Sequence, residues 1–153
     1  MKQYSQTEHL SFDDILLVPQ HSDIESRRDV SLATGLGNGL ELSIPVIAAP
    51  MDTVCEWQMV EAMDRLGGMG ILHRYMSIEQ QVAMLKMSQA QSGVKNIGGS
   101  VGARGAFVEE AQKLVHAGAN VILIDVANGH NQNAINAVSS LRKELGEKIH
   151  IMA

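Results

Sequence analysis

Short apolar runs that do not alternate with polar residues recur along this chain roughly every 25 residues, the repeat of a strand plus a crossover helix. They are 44–50 (IPVIAAP), 68–73 (GMGILH), 94–102 (VKNIGGSVG), 119–127 (ANVILIDVA) and 148–153 (KIHIMA). Runs without alternation suit strands covered on both faces, as in parallel sheets. The stretches between them have helical spacing. Ala111, Leu114 and Val115 fall on one face of a third helix, and Ile135, Val138, Leu141 and Leu145 on one face of a fourth. Ser77 with Gln80 predicts a capping box, and Gly118 and Gly146 stand where a helix would end in a left-handed residue. Repeated crossovers of this kind build an open doubly wound sheet or a (β/α)8 barrel.

Composition excludes several classes of function. The formal charge is −5 and Lys and Arg are thinly spread, so no basic patch exists to neutralise nucleic-acid phosphates. A single cysteine, Cys55, rules out an internal disulfide framework and a cysteine-based zinc site. No apolar run resembles a signal peptide or a membrane span, and a reducing cytoplasm is the expected setting. Fourteen Gly and nine Met against 3% aromatic residues point to close backbone approaches over an aliphatic and thioether core.

Two observations favour the barrel. A dinucleotide-binding open sheet carries Gly-x-Gly-x-x-Gly after its first strand, whereas "APMDTV" follows Ile47 and "GGMG" at 67–70 precedes a strand. Polar residues also gather at the carboxyl ends of the runs: Asp52 after the first, His73 and Arg74 after the second, Asp125 and Asn128 after the fourth. In a parallel barrel those ends form the functional face. On spacing alone, Asp125 serves equally well as a cap for the turn through Gly129.

With these residues in view, 12–32 (FDDILLVPQHSDIESRRDVSL), 44–54 (IPVIAAPMDTV), 67–81 (GGMGILHRYMSIEQQ) and 121–130 (VILIDVANGH) resemble the catalytic barrel of the IMP dehydrogenase and GMP reductase family. The resemblance implies a TIM barrel of which residues 1–153 hold about the first five strands, as the N-terminal part of one catalytic domain. It also implies purine nucleotide chemistry with a nicotinamide cofactor carrying the hydride. Dehydrogenases of the family usually insert CBS modules between the second and third units, and 77–95 leaves no room for a CBS domain. "DVANG" at 125–129 is similar to the reductase form, while Pro50 and "GGMGILHR" are similar to bacterial dehydrogenases. GMP reductase, using NADPH, is placed ahead. IMP dehydrogenase without CBS domains, using NAD, is the alternative, and a non-catalytic nucleotide-binding fragment is a third reading.

The resemblance also implies roles. Met51 would lie against the nucleotide, with Ala48 and Ala49 letting it approach the strand end. Asp125, Val126 and Ala127 match the cofactor contact, where a carboxylate accepts hydrogen bonds from ribose hydroxyl or carboxamide groups. Arg74 matches a cation near the cofactor. Ser26 and Arg27 match a segment that reaches a neighbouring subunit's cofactor, although Arg28 replaces a commoner Ser. Asp13 and Asp14 are expected to organise the N-terminal segment. No catalytic residue is expected within the chain: the family's nucleophilic cysteine belongs beyond Ala153, and Cys55 is expected to be a small buried thiol. Any monovalent cation site would also lie outside residues 1–153, no metal site is expected within them, and the full-length protein is expected to be a homotetramer. Alone, the segment is expected to associate or pack loosely, with an uncovered inner sheet face.

Overall fold

Parallel pairing trims the five apolar runs to the residues that find a hydrogen-bonding neighbour. The computed structural model describes residues 10–153, with 91 and 92 described by backbone alone. A 3-10 turn at Arg27–Asp29 is followed by β1 (Thr34–Gly35), β2 (Glu41–Leu42), β3 (Ile47–Ala48), α1 (Trp57–Arg65), β4 (Met69–Leu72) and α2 (Ile78–Ser92). Then come β5 (Ile97–Val101), α3 (Phe107–His116), β6 (Val121–Ile124), α4 (Gln132–Leu145) and β7 (His150–Met152). Strands β3 to β7 form one parallel sheet in chain order. A doubly wound sheet reverses its strand order at a switch point. This sheet has no reversal, and it is the progression of a partial (β/α)8 barrel, as expected.

Residues up to Val30 form one unit and Ser31–Ala153 another. In the first, Asp14 organises a turn by accepting from the Ser11 N–H and hydroxyl, both at 2.8 Å. Those bonds hold its carboxyl below its ordinary range. Ser26 accepts from the Arg28 N–H and so caps the 3-10 turn.

In the second unit, the outer sheet face and the helices share one core, in which Leu72, Ile97, Val101, Ile122 and Ile124 meet Val60, Leu85, Leu114 and Leu141. Glycine sets the helix-to-sheet distance. A Cβ on Gly70 would stand 2.7 Å from the Val60 Cα, and one on Gly68 2.8 Å from the Met63 Cε, both on α1. Met69, Ile71 and Val121 form a separate cluster with Leu40 and Leu42. The latter two flank and enter β2, whose hairpin with β1 turns through Gly37, Asn38 and Gly39, all at positive φ. This corrects the expectation that the inner face is wholly uncovered. Leu40 and Leu42 seal its amino-terminal part, while Leu123 and Met152 stay partly buried.

The helix signals hold with two corrections. Ser77 and Gln80 form the expected reciprocal capping box. Ala111 and Leu114 are buried on α3 with Val115 packed beside them. On α4, however, the inward stripe runs through Ala134, Ala137 and Leu141, leaving Ile135 44% exposed. Two alanines let α4 approach the sheet closely, which turns the larger Ile135 outward. Gly118 has φ +104°, as a glycine past a helix end should. Gly146 has the positive φ expected of it, +70°, but a ψ of −169°, which lies outside the left-handed helical well.

The side chains of Asn120 and Asp64 tie the amino ends of the strands. Asn120 accepts from the Ile97 N–H at 2.9 Å and donates to the Lys95 carbonyl at 3.2 Å. Asp64 accepts from the N–H groups of Lys95 and Asn96 at 3.2 and 3.1 Å. This rim is engaged in holding strands together, consistent with the stability role of that barrel face.

Two outcomes follow. Gly70→Ala forces a methyl onto α1 and is expected to destabilise the fold by about 1–3 kcal/mol, as overpacking does; denaturant unfolding measures it. Strands β3 and β7 are the edges of the sheet, and Val46 and Ile47 at the β3 edge are 50% and 37% exposed. Expressed as residues 1–153, the chain is therefore expected to self-associate. A single-chain mass by light scattering across a concentration series would contradict this.

Candidate functional site

The carboxyl ends of β4 and β5 are tied to each other and to α2 by a buried polar clamp. The Gln81 side chain accepts from the Ser100 N–H at 2.9 Å and donates to the Ser100 carbonyl at 3.2 Å, as another peptide group would. The Ser100 hydroxyl donates to the Leu72 carbonyl at 2.6 Å. Strand ends fixed in this way present rigid bases for the side chains beyond them. Buried polar groups of this kind stabilise only when fully paired, as these backbone groups are.

Just past β4, His73 is buried and Arg74 is exposed. The Arg74 Nε donates to Asp125 Oδ2 at 3.1 Å, across from the end of β6. Its guanidinium also lies 5.5 Å from the centre of the Tyr75 ring, within cation–π range. Asp125 is held from behind by its own N–H, which donates to the Val101 carbonyl at 2.9 Å. The turn-capping role left open for Asp125 belongs instead to Asn128, whose side chain accepts from the His130 N–H at 3.0 Å. Asn131 then caps α4 by accepting from the Ala134 N–H at 3.0 Å.

Arg74 stands at the edge of a cleft of about 550 Å³, whose other walls are Gly102, Ala103, Arg104, Val126, Asn131, Gln132 and Asn133. Two guanidiniums and three amides line it, with no carboxylate among them. A smaller hollow of about 190 Å³ adjoins Arg74 and Arg104 above Gln81 and Ser100. Arg104 makes no ion pair among the described residues. The sequence reading missed it; its one mark is a place two residues past the third apolar run, in a stretch without a motif. Gln81 was passed over as well, because a glutamine on a helix carries no mark of burial.

The whole chain from residue 9 to residue 153 matches the family model described as "IMP dehydrogenase / GMP reductase domain". The chain belongs to the IMP dehydrogenase / GMP reductase family. It is 50% identical over 86 residues to the GMP reductase of Leishmania donovani, covering 56% of this chain and 18% of that protein. To the inosine-5'-monophosphate dehydrogenase of Bacillus subtilis it is 51% identical over 88 residues, 57% of this chain and 18% of that one. To that of Cryptosporidium parvum it is 32% identical over 177 aligned positions, 89% of this chain and 44% of that one. Each alignment spans less than half of the relative's length.

Of the residues singled out through the family motifs, the structure brings Arg74 and Val126 to one cleft, with Asp125 paired to Arg74 and Ala127 exposed next in the chain. Ala49 and Met51 lie in the loop after β3, both exposed. That loop turns tightly: the Met51 carbonyl accepts from the N–H groups of Val54 and Cys55 at 3.2 and 3.1 Å. Within the turn Thr53 has φ +59°, a strained conformation for a β-branched residue. Ser26 and Arg27 belong to the N-terminal unit. Among the described residues no group of three His, Cys, Asp or Glu side chains converges as a metal site requires.

Cys55 is fully buried, as expected, against α1 and β4. Burial raises its thiol from an ordinary 9.0 to about 11, against a smaller lowering by a hydrogen bond with the Ile71 backbone. At neutral pH it is therefore a protonated core residue and a poor nucleophile. Because the native state keeps this proton while the unfolded chain releases it, the associated stability is complete below pH 9.0 and is lost as pH rises toward 11. Thermal unfolding is expected to show this fall in the wild type and less of it in Cys55→Ala. In the folded protein, iodoacetamide at pH 8 is expected to leave Cys55 unmodified.

Proposed function

We propose that this chain is the N-terminal part of the catalytic barrel domain of a purine nucleotide oxidoreductase, acting as a GMP reductase. The reaction is reductive deamination: GMP, NADPH and two protons give IMP, NADP⁺ and ammonium. The observation that carries the reading is the cleft in which Arg74, already paired with Asp125, faces a second cation, Arg104. Two guanidiniums against one carboxylate leave a net positive wall, suited to the phosphates of a dinucleotide. Asp125 supplies an acceptor for ribose hydroxyl or carboxamide donors, while Val126 and Ala127 offer a low wall for a flat ring. When bound, NADPH supplies the hydride.

In this reading Ala49 and Met51 contact the purine nucleotide from the β3 side of the rim. Ser26 and Arg27 serve the cofactor of a neighbouring subunit in a homotetramer. A buried, protonated Cys55 is unsuited to attack carbon 2 of the base, and the family resemblance implies that the nucleophilic cysteine belongs beyond Ala153. The direct link from β4 to β5 through α2 supports a barrel without an inserted CBS domain. The cytoplasm is the proposed compartment. A second reading, NAD-dependent oxidation of IMP to XMP, is favoured by Pro50 and by the match to the Cryptosporidium parvum dehydrogenase over 89% of this chain.

The test follows absorbance at 340 nm with the full-length protein. GMP with NADPH is expected to give turnover; NADH production from IMP with no NADPH consumption with GMP would reverse the order. Asp125→Ala removes a charge-assisted acceptor worth about 1.5–3 kcal/mol, roughly tenfold to a hundredfold in affinity. It is expected to raise the cofactor KM by that factor with little effect on the nucleotide KM. An unaltered cofactor KM and rate would remove Asp125 from the cofactor site.

A further inference from the structure

His73 carries a polar atom that neither the fold nor the proposed chemistry uses. Its side chain is 5% exposed, and Nε2 is the one buried side-chain nitrogen or oxygen among the described residues without a hydrogen-bond partner. A buried polar atom left unpaired costs about 1–3 kcal/mol, so its persistence needs a reason. The other ring nitrogen fixes its chemistry: Nδ1 accepts from the Tyr75 N–H at 3.2 Å, so the ring proton resides on Nε2. The orphan is therefore a donor, and the group in front of it is an acceptor, Glu56 Oε1 at 3.7 Å. That separation exceeds hydrogen-bond range by a few tenths of an ångström.

Glu56 independently shows the same incomplete arrangement. It occupies the N-cap of α1, yet its side chain makes no capping bond to that helix. It also lines an open hollow of about 510 Å³ with Thr53, Val54, Gln58, Met59 and Ala62, so its carboxylate has room to shift. Residues 51–56, which end in Glu56, hold Met51 at one end and the strained Thr53 in the middle.

We infer that His73 is a positioning residue that ties the loop carrying Met51 to the turn carrying Arg74. Through Nδ1 it holds the backbone of Tyr75, beside Arg74. Through Nε2 it holds Glu56 when a nucleotide seated against Met51 presses residues 51–56 inward and closes the gap. The imidazole thereby gives the nucleotide side and the cofactor side of the rim one shared support. This inference rests on the proposed function, since it assigns the nucleotide to the Met51 side.

The experiment uses the full-length protein and two replacements that separate the two ring nitrogens. His73→Asn retains an acceptor for the Tyr75 N–H but cannot reach Glu56; His73→Gln places an amide N–H near the Nε2 position. His73→Asn is expected to raise the KM for the purine nucleotide about tenfold, leave the cofactor KM within about twofold, and be largely rescued by His73→Gln. Glu56→Ala, at a half-exposed carboxylate, is expected to reproduce the defect, and the double variant to be no worse than either single one. Unchanged nucleotide KM in the single variants, multiplying losses in the double, or a parallel rise in both KM values with a fall in unfolding temperature would each overturn the assignment. If His73→Asn does not fold, Glu56→Ala decides alone. If the wild type binds neither GMP nor IMP in calorimetry, the functional reading fails and the tie, which needs the bound nucleotide, is overturned with it. If the wild type binds nucleotide, hydrogen exchange gives a second readout: slower exchange at the amides of Thr53, Val54 and Cys55 on nucleotide binding, lost in Glu56→Ala, upholds the tie, and the same slowing in Glu56→Ala overturns it.

Discussion

Parallel pairing is the constraint from which the rest of this structure follows. Strands that run in the same direction cannot be joined by a tight turn, so each must return through a crossover helix. Strands β3 to β7 obey this in chain order, and every strand therefore ends on one rim. Residues far apart in sequence meet there. Arg74 and Asp125 are 51 positions apart, yet their side chains pair at 3.1 Å because β4, β5 and β6 are neighbours in register. The opposite rim carries Asp64 and Asn120, whose bonds go to backbone groups and leave little for a ligand.

Much of this was legible in the residues. The non-alternating runs gave the strands, because burial on both faces removes the polar residues that would mark a surface. The Ser77 and Gln80 capping box was legible since its bonds are local. The carboxyl-end rule located His73, Arg74 and Asp125 at the rim. It did not reveal that Arg74 and Asp125 pair, because nothing in a linear pattern records the register of two strands with a third between them. Arg104 was missed for a different reason: "ARGA" contains no motif, and its importance comes from the cleft that α4 closes across from it.

The errors were local choices settled by tertiary packing. Periodicity placed Ile135 in the α4 stripe, but the closeness allowed by Ala134 and Ala137 decided which side faced inward. Gly146 marked the helix end correctly, while the route to β7 required an extended ψ. The hairpin of β1 and β2 was not foreseen, since two-residue strands are too short to show a period. Thr53 at positive φ was equally invisible, because its conformation is imposed by the two bonds converging on the Met51 carbonyl.

The hairpin's placement bears on how the inner sheet face is covered. Leu40 and Leu42, at 3% and 2% exposure, close the inner sheet face at its amino-terminal end over Met69, Ile71 and Val121. The cover over that end of the face is therefore aliphatic where it meets the sheet, at Leu40 and Leu42. The same face stays open toward the free edges of β3 and β7, where Leu123 and Met152 are only partly buried. Whatever pairs with those two strands therefore also finishes the cover that the hairpin begins.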